Sequence, residues 1–219
     1  MRALAILPLG LLQFYSQLIQ GPSRTVNRGN TIAVVYLEGT IVSGSMPVSP
    51  TGGAAASSDT LRKALAEIER DKATKAVVLR IDSPGGSALA SEVILDAVRR
   101  LQAQKPVIVS MGNVAASGGY YVASYAKVIY AEPTTITGSI GVIGGKFATT
   151  GLWDKLGVRW ESRSRGANAT LNGSDRVFSD RQRKKVQAMM DEIYGTFKGH
   201  VVAGRGAKLK KPIEQIAGG

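Results

Sequence analysis

No cysteine occurs among the 219 residues, which removes disulfides, thiolate metal sites and cysteine nucleophiles together. The redox compartment stays open, because a chain without thiols suits either environment. There is one histidine, His200, too little imidazole for a His-rich metal site or a Ser-His-Asp triad built from this chain alone. No metal or organic cofactor is expected. Aromatic residues are sparse at 6%, but apolar residues make up 44% and charged residues 20%, ordinary globular usage that argues against disorder. A bilayer-length apolar run is also missing. Ala3 to Leu12 in MRALAILPLGLLQFYSQLIQ is too short to span, contains Pro8 and runs on into Gln13, Ser16 and Gln17. No small-x-small cleavage site follows. Two readings of this stretch stand, a short anchor or an amphipathic element packing on another domain, and the second is preferred.

Acidic charge is scarce as well: 16 carboxylates against 28 lysines and arginines leave a net charge of +12. Such an excess favours anionic partners. The basic residues are dispersed, with clusters at Arg181, Arg183, Lys184, Lys185 and at Lys208, Lys210, Lys211. Both clusters read as solvated helix faces or ends, with a membrane surface as the lesser reading. No nucleic-acid motif accompanies them, and no nucleic-acid partner is expected.

The chain divides at a Pro, Gly and basic linker, Gly21 to Asn30. Residues 1–29 form an apolar segment and linker, and 30–219 one domain, a size that fits a single core. TIAVVYLEG from Thr31 predicts a buried strand. Ser43 to Ser58, rich in Gly, Ser, Pro and Ala, predicts a loop. A helix between Asp59 and Asp71 carries Leu61, Leu65 and Ile68. Ala76 to Ile81 predicts a second strand, Ala88 to Leu101 a helix, Pro106 to Met111 a third strand and Lys127 to Ala131 a fourth. Ser179 to Ala203 predicts a long helix with Val186, Met189, Met190, Ile193 and Phe197. Strands alternating with helices define an α/β fold with a parallel or mixed sheet covered by helices.

Two glycine-bearing turns carry the chemistry. Asp82-Ser83-Pro84-Gly85-Gly86-Ser87 follows one strand, and Ala115-Ala116-Ser117-Gly118-Gly119-Tyr120 follows the next. Each precedes a helix, where backbone N–H groups are unpaired and aim outward. Facing one another, they supply two donors for a developing oxyanion, from near Gly86 and from Gly118. Gly85 and Gly86 let a ligand carbonyl approach the backbone. Ser117 sits beside the second donor. Either turn alone is a common structural device; their order and separation make the pair specific.

The strings VVLRIDSPGGSALASEVI, PVIVSMGNVAASGGYYVAS and TTITGSIGVIGG, in that order, resemble signal peptide peptidase A. The resemblance runs from about Thr31 to the end of the chain. It implies the Clp protease/crotonase fold of repeated β-β-α units. It also implies membrane-associated oligomers that degrade cleaved signal peptides on the extracytoplasmic face, the periplasmic side of a bacterial inner membrane. By the same resemblance Ser117 is the nucleophile, Gly86 and Gly118 carry the oxyanion-hole amides, and Ser139 in TGSIG positions a lysine base. Gly85, Gly119 and the apolar stretch Gly141, Val142, Ile143 are read as lining the groove for an extended peptide. A lysine serves as base when burial lowers its pKa.

One departure stands out. The short members' Gly-x-x-Lys stretch matches Gly166-Ala167-Asn168-Ala169, so alanine occupies the lysine position. Long members have two homologous halves, the first supplying the lysine and the second the serine. This chain therefore resembles the second half, with its lysine brought by a partner half or subunit. Its end at Ala217-Gly218-Gly219 falls short of the family's usual extent. Lys146 is a minor alternative base, and His200 is read as a surface or packing residue. Two other readings are a non-catalytic assembly subunit, favoured by Ala169, and a crotonase-type acyl-CoA enzyme, disfavoured by Ser117.

Overall fold

The computed structural model describes residues 29–45 and 55–218; the readings placed on residues 1–28 lie outside them. Five parallel strands form the main sheet, four in the order β1-β4-β5-β6 and the fifth, β7 (Ile136–Gly138), beside the end of β5. The first four are β1 (Thr31–Glu38), β4 (Thr74–Ser83), β5 (Val107–Ala116) and β6 (Val128–Tyr130). Between β1 and β4 lie two three-residue strands, β2 (Thr40–Val42) and β3 (Ala55–Ser57), paired in parallel, and helix α1 (Ser58–Arg70). The sequence predicts only loop where β3 lies, because three residues are too few to show a period. Helix α2 (Ala88–Gln102) joins β4 to β5, and the short α3 (Gly118–Ala123) follows β5. Such β-strand, helix, β-strand crossovers bring successive parallel strands side by side.

One face of the sheet supplies the core. Leu37, Val77, Leu79, Ile81, Val107 and Val109 are buried against Leu61 and Leu65 of α1 and Ile94, Val98 and Leu101 of α2. Period-two alternation puts Ile32, Val34 and Tyr36 on the opposite face of β1, where they are exposed. α1 and α2 are formed by apolar residues at three- and four-residue spacing. The Ser87 side chain caps α2 by accepting from the Ala90 N–H.

Strand β5 is longer than predicted. Its first half pairs with β4 and β6, and its last three residues, Val114 to Ala116, pair with β7 (Ile136–Gly138). Between the halves the ladder to β4 is irregular: Ile81 faces Met111 and Ser83 faces Ala115, so two steps along β4 match four along β5. Asp82 bridges this bulge. Its carboxylate accepts from the Asn113 N–H at 3.3 Å and the Val114 N–H at 3.1 Å. A bulge re-aims the strand beyond it, and the residue that follows β5 is Ser117.

The remaining chain carries α4 (Thr150–Lys155), the long α5 (Asp180–Arg205), a 3-10 turn (Gly206–Lys208) and α6 (Ile213–Ile216). α5 starts with a capping box: the Gln182 N–H donates to the Ser179 hydroxyl, and the Gln182 side chain accepts from the Ser179 N–H. A second core, Leu95, Tyr121, Ile140, Phe197, Val201 and Ala217, packs α5 against α2 and α3. Arg181, Arg183, Lys184 and Lys185 are all exposed on α5. No helix of the described residues is long and apolar enough to cross a membrane.

Candidate active site

Ser117 stands between β5 and α3 with φ 49° and ψ −120°, a region a side-chain-bearing residue enters only under strain of about 1–3 kcal/mol. Neighbouring groups hold it there. Its N–H donates to Gly138 O at 2.9 Å, and its carbonyl accepts from the Tyr121 N–H at 2.8 Å. Ser139, next to Gly138, also has a positive φ of 46°. The two serines that the resemblance singles out are thus both strained and joined through one backbone hydrogen bond. Neither hydroxyl has a hydrogen-bond partner among the described residues.

Each glycine of the two turns has a specific reason to lack a side chain. A Cβ on Gly85 would lie 2.7 Å from the Ser117 Cβ and 2.6 Å from the Gly118 nitrogen. One on Gly86 would lie 2.2 Å from Ile41 O. On Gly118 it would strike the Ser91 hydroxyl at 2.4 Å, and on Gly119 the Ser83 carbonyl at 2.9 Å. The turns are therefore pressed together. Ile41 bridges to Gly86 by donating to Gly85 O at 2.8 Å and accepting from the Ser87 N–H at 2.9 Å. That bridge uses the groups on either side of the Gly86 N–H. Among the described residues neither the Gly86 nor the Gly118 N–H has a backbone acceptor.

Both glycines border a cleft of about 930 Å³. Ser117, Gly86, Gly118, Ser139, Gly141, Val142 and Ile143 all line it. Gly85 and Gly119 are buried behind that lining, where they let the turns meet. The opposite wall comes from α5, with Gln187, Met190, Asp191, Tyr194 and Phe197. The sequence marks Met190 and Phe197 only as an apolar helix face, which reads as core; the wall they form needs the tertiary packing to be seen.

No lysine and no histidine lies on that cleft among the described residues. Lys146 is held elsewhere: its Nζ lies over the Phe178 ring at 4.6 Å and donates to Thr170 O at 3.4 Å. Ala169, where the resemblance expects the lysine, is exposed in a turn off the cleft. His200 is half-buried, with Nε2 3.0 Å from Glu92 Oε2. The same Glu92 oxygen accepts the Tyr121 hydroxyl. Burial, reinforced by Glu92, pushes the Tyr121 hydroxyl far above the ordinary tyrosine range, so it stays a donor. No group of three or more His, Cys, Asp or Glu side chains that could hold a metal occurs among the described residues.

A strained serine at a strand-to-helix turn stands on a Clp-type α/β fold beside an open cleft and two amides without a backbone acceptor, the kind of arrangement that suits acyl transfer. The comparisons agree. The family model for peptidase family S49 matches residues 99–219, and that for Clp protease residues 50–135. The chain belongs to peptidase family S49. It is 37% identical over 189 residues to the chloroplastic serine protease SPPA of Arabidopsis thaliana, covering 86% of this chain and 28% of that one. It is 37% identical over 214 residues to protease 4 of Haemophilus influenzae, covering 95% and 33%. With protease 4 of Salmonella typhi it is 34% identical over 209 residues, covering 95% and 32%. The chain spans about a third of the length of these relatives.

Proposed function

We propose that this chain is the nucleophile-bearing part of a serine endopeptidase that cleaves extended apolar peptides, cleaved signal peptides among them, with a lysine base brought by a partner half or subunit. The observation that carries the reading is the cleft that gathers Ser117 and the free Gly86 and Gly118 amides without a lysine of its own. The Ser117 Oγ attacks the scissile carbonyl carbon while its proton passes to the neutral partner lysine. The carbonyl oxygen becomes the oxyanion, held by the two N–H groups. The lysine returns the proton to the leaving amine, and water hydrolyses the acyl-enzyme with the lysine again as base. Ser139 orients the incoming lysine at the cleft wall. Ile140, Val142 and Ile143 favour apolar substrate side chains. Assembly into oligomers at the extracytoplasmic face of a membrane belongs to the same reading.

The position of Ala169 supports a partner-supplied base, because Ala169 does not line the cleft that holds Ser117. The test is labelling with a serine-reactive fluorophosphonate, on this chain and on Ser117→Ala, with and without a lysine-bearing homologous half. Labelling that needs both Ser117 and the added half is expected. Labelling of the chain alone moves the base inside it, with Lys146→Ala as the next variant. A folded chain that stays unlabelled beside the added half identifies a non-catalytic subunit.

A further inference from the structure

We infer that Glu92 is a positioning residue for the peptide cleft: one carboxylate oxygen ties the nucleophile helix α3 to the wall helix α5. The inference rests on the peptidase reading for its consequence, but on separate atoms for its geometry. Glu92 Oε2 receives the Tyr121 hydroxyl from α3 and faces His200 Nε2 from α5 at 3.0 Å. The groups thus come from three helices, and no two of them are near in sequence. Tyr121 is four residues beyond Ser117, and its ring packs on Phe197 at 4.7 Å and edge-on to His200 at 5.2 Å.

Tyr121 and Phe197 both line the cleft. Glu92 therefore fastens Tyr121, whose ring is the apolar floor of the cleft beside Phe197 of the α5 wall. The other ring nitrogen of His200 lies 3.5 Å from the Tyr125 hydroxyl, and Arg99 covers the Tyr125 ring at 4.6 Å. The imidazole is thus confined from both edges. Elsewhere α5 meets the body through apolar packing around Phe197 and Val201 and, at its C-terminal end, through Arg205, which donates to Ser124 O and Ala126 O; the shared carboxylate oxygen is the directional contact that holds a cleft-lining ring, Tyr121. Glu92 thereby fixes how far α5 stands from Ser117, and with it the width of the floor.

Two peptides separate this role from general support: one with leucine and phenylalanine side chains, one of alanine and glycine. Their binding is measured by fluorescence anisotropy to the full chain carrying Ser117→Ala, so that nothing is turned over. In that background Glu92→Ala is expected to weaken the bulky peptide at least tenfold and the small one less than twofold. Glu92→Gln, which keeps an acceptor for Tyr121, is expected to recover most of the loss. His200 is the chain's only histidine, so its ring signals in an NMR spectrum report the contact without ambiguity. They should shift in Glu92→Ala, and hydrogen exchange should quicken along Gln187 to Phe197. Unchanged binding of both peptides with a shifted His200 signal overturns the positioning role. Equal loss for both peptides reduces Glu92 to general support and overturns it as well. Failure of the parent chain to bind either peptide removes the peptidase reading and the cleft role with it. Hydrogen exchange in α5 then still decides whether Glu92 holds the wall.

Discussion

At the scale of single residues, Gly85, Gly86, Gly118 and Gly119 are not interchangeable. Gly85 and Gly86 have φ of 98° and 152°, so a side chain there meets both strain and collision. Gly118 does not take a positive φ, and among the described residues the only atom closer than 3 Å to a Cβ there is the Ser91 hydroxyl oxygen. Gly118→Ala should therefore cost about 1–3 kcal/mol of stability by overpacking. Ser91→Ala alone loses its hydrogen bond to Ser87 O, about 1 kcal/mol. The double variant should be more stable than the sum of the two predicts, as urea unfolding of the four-member cycle will show. The turns themselves are legible in the sequence, as is Ser117. The separate tasks of the glycines are not, because each is set by a partner on another segment. Glu92 and His200 are 108 positions apart, a distance at which spacing carries no signal.

At the scale of elements, strong periodic segments are the legible ones: α1, α2, α5 and the apolar cores of β1, β4 and β5 are all expected from the pattern. Boundaries move where hydrogen bonds rather than hydrophobicity decide them. β5 runs through Gly112 and Asn113, residues that read as a strand end, because Asp82 and then β7 supply partners beyond the bulge. α5 begins where Ser179 caps it, and Gln182 carries the cap further by donating to the Thr170 hydroxyl at 3.0 Å. The cap thus fixes both a helix start and the turn that contains Ala169. Ser179→Ala should lower stability by about 1 kcal/mol. The loss should appear in thermal unfolding and as faster hydrogen exchange in residues 180–183.

At the scale of the whole molecule, the site reads as half of a constellation. On the proposed reading, the nucleophile, oxyanion donors and groove lie within one chain and the base comes from a partner. In the sequence that reading rests on a single position, Ala169, and only because the resemblance says what belongs there; composition alone gives no hint of it. A lysine-bearing half should raise the labelling rate of Ser117 at least 100-fold, in the range of general base catalysis. The rate should rise with pH as that lysine loses its proton, a dependence absent from the chain alone. Stopped-time labelling over a pH series checks both.

The Asp82 bridge has a consequence for how damage to the site would show itself. Strand register is discrete: a strand that slips moves by whole residues, about 3.3 Å each. Without the carboxylate that fastens Asn113 and Val114, a molecule either presents Ser117 and Gly118 beside the Gly86 amide or misses it by a full step. Asp82→Ala should therefore divide the population rather than slow every member of it. An active-site titration of the assembled enzyme would count fewer reactive serines, each reacting at its original rate constant.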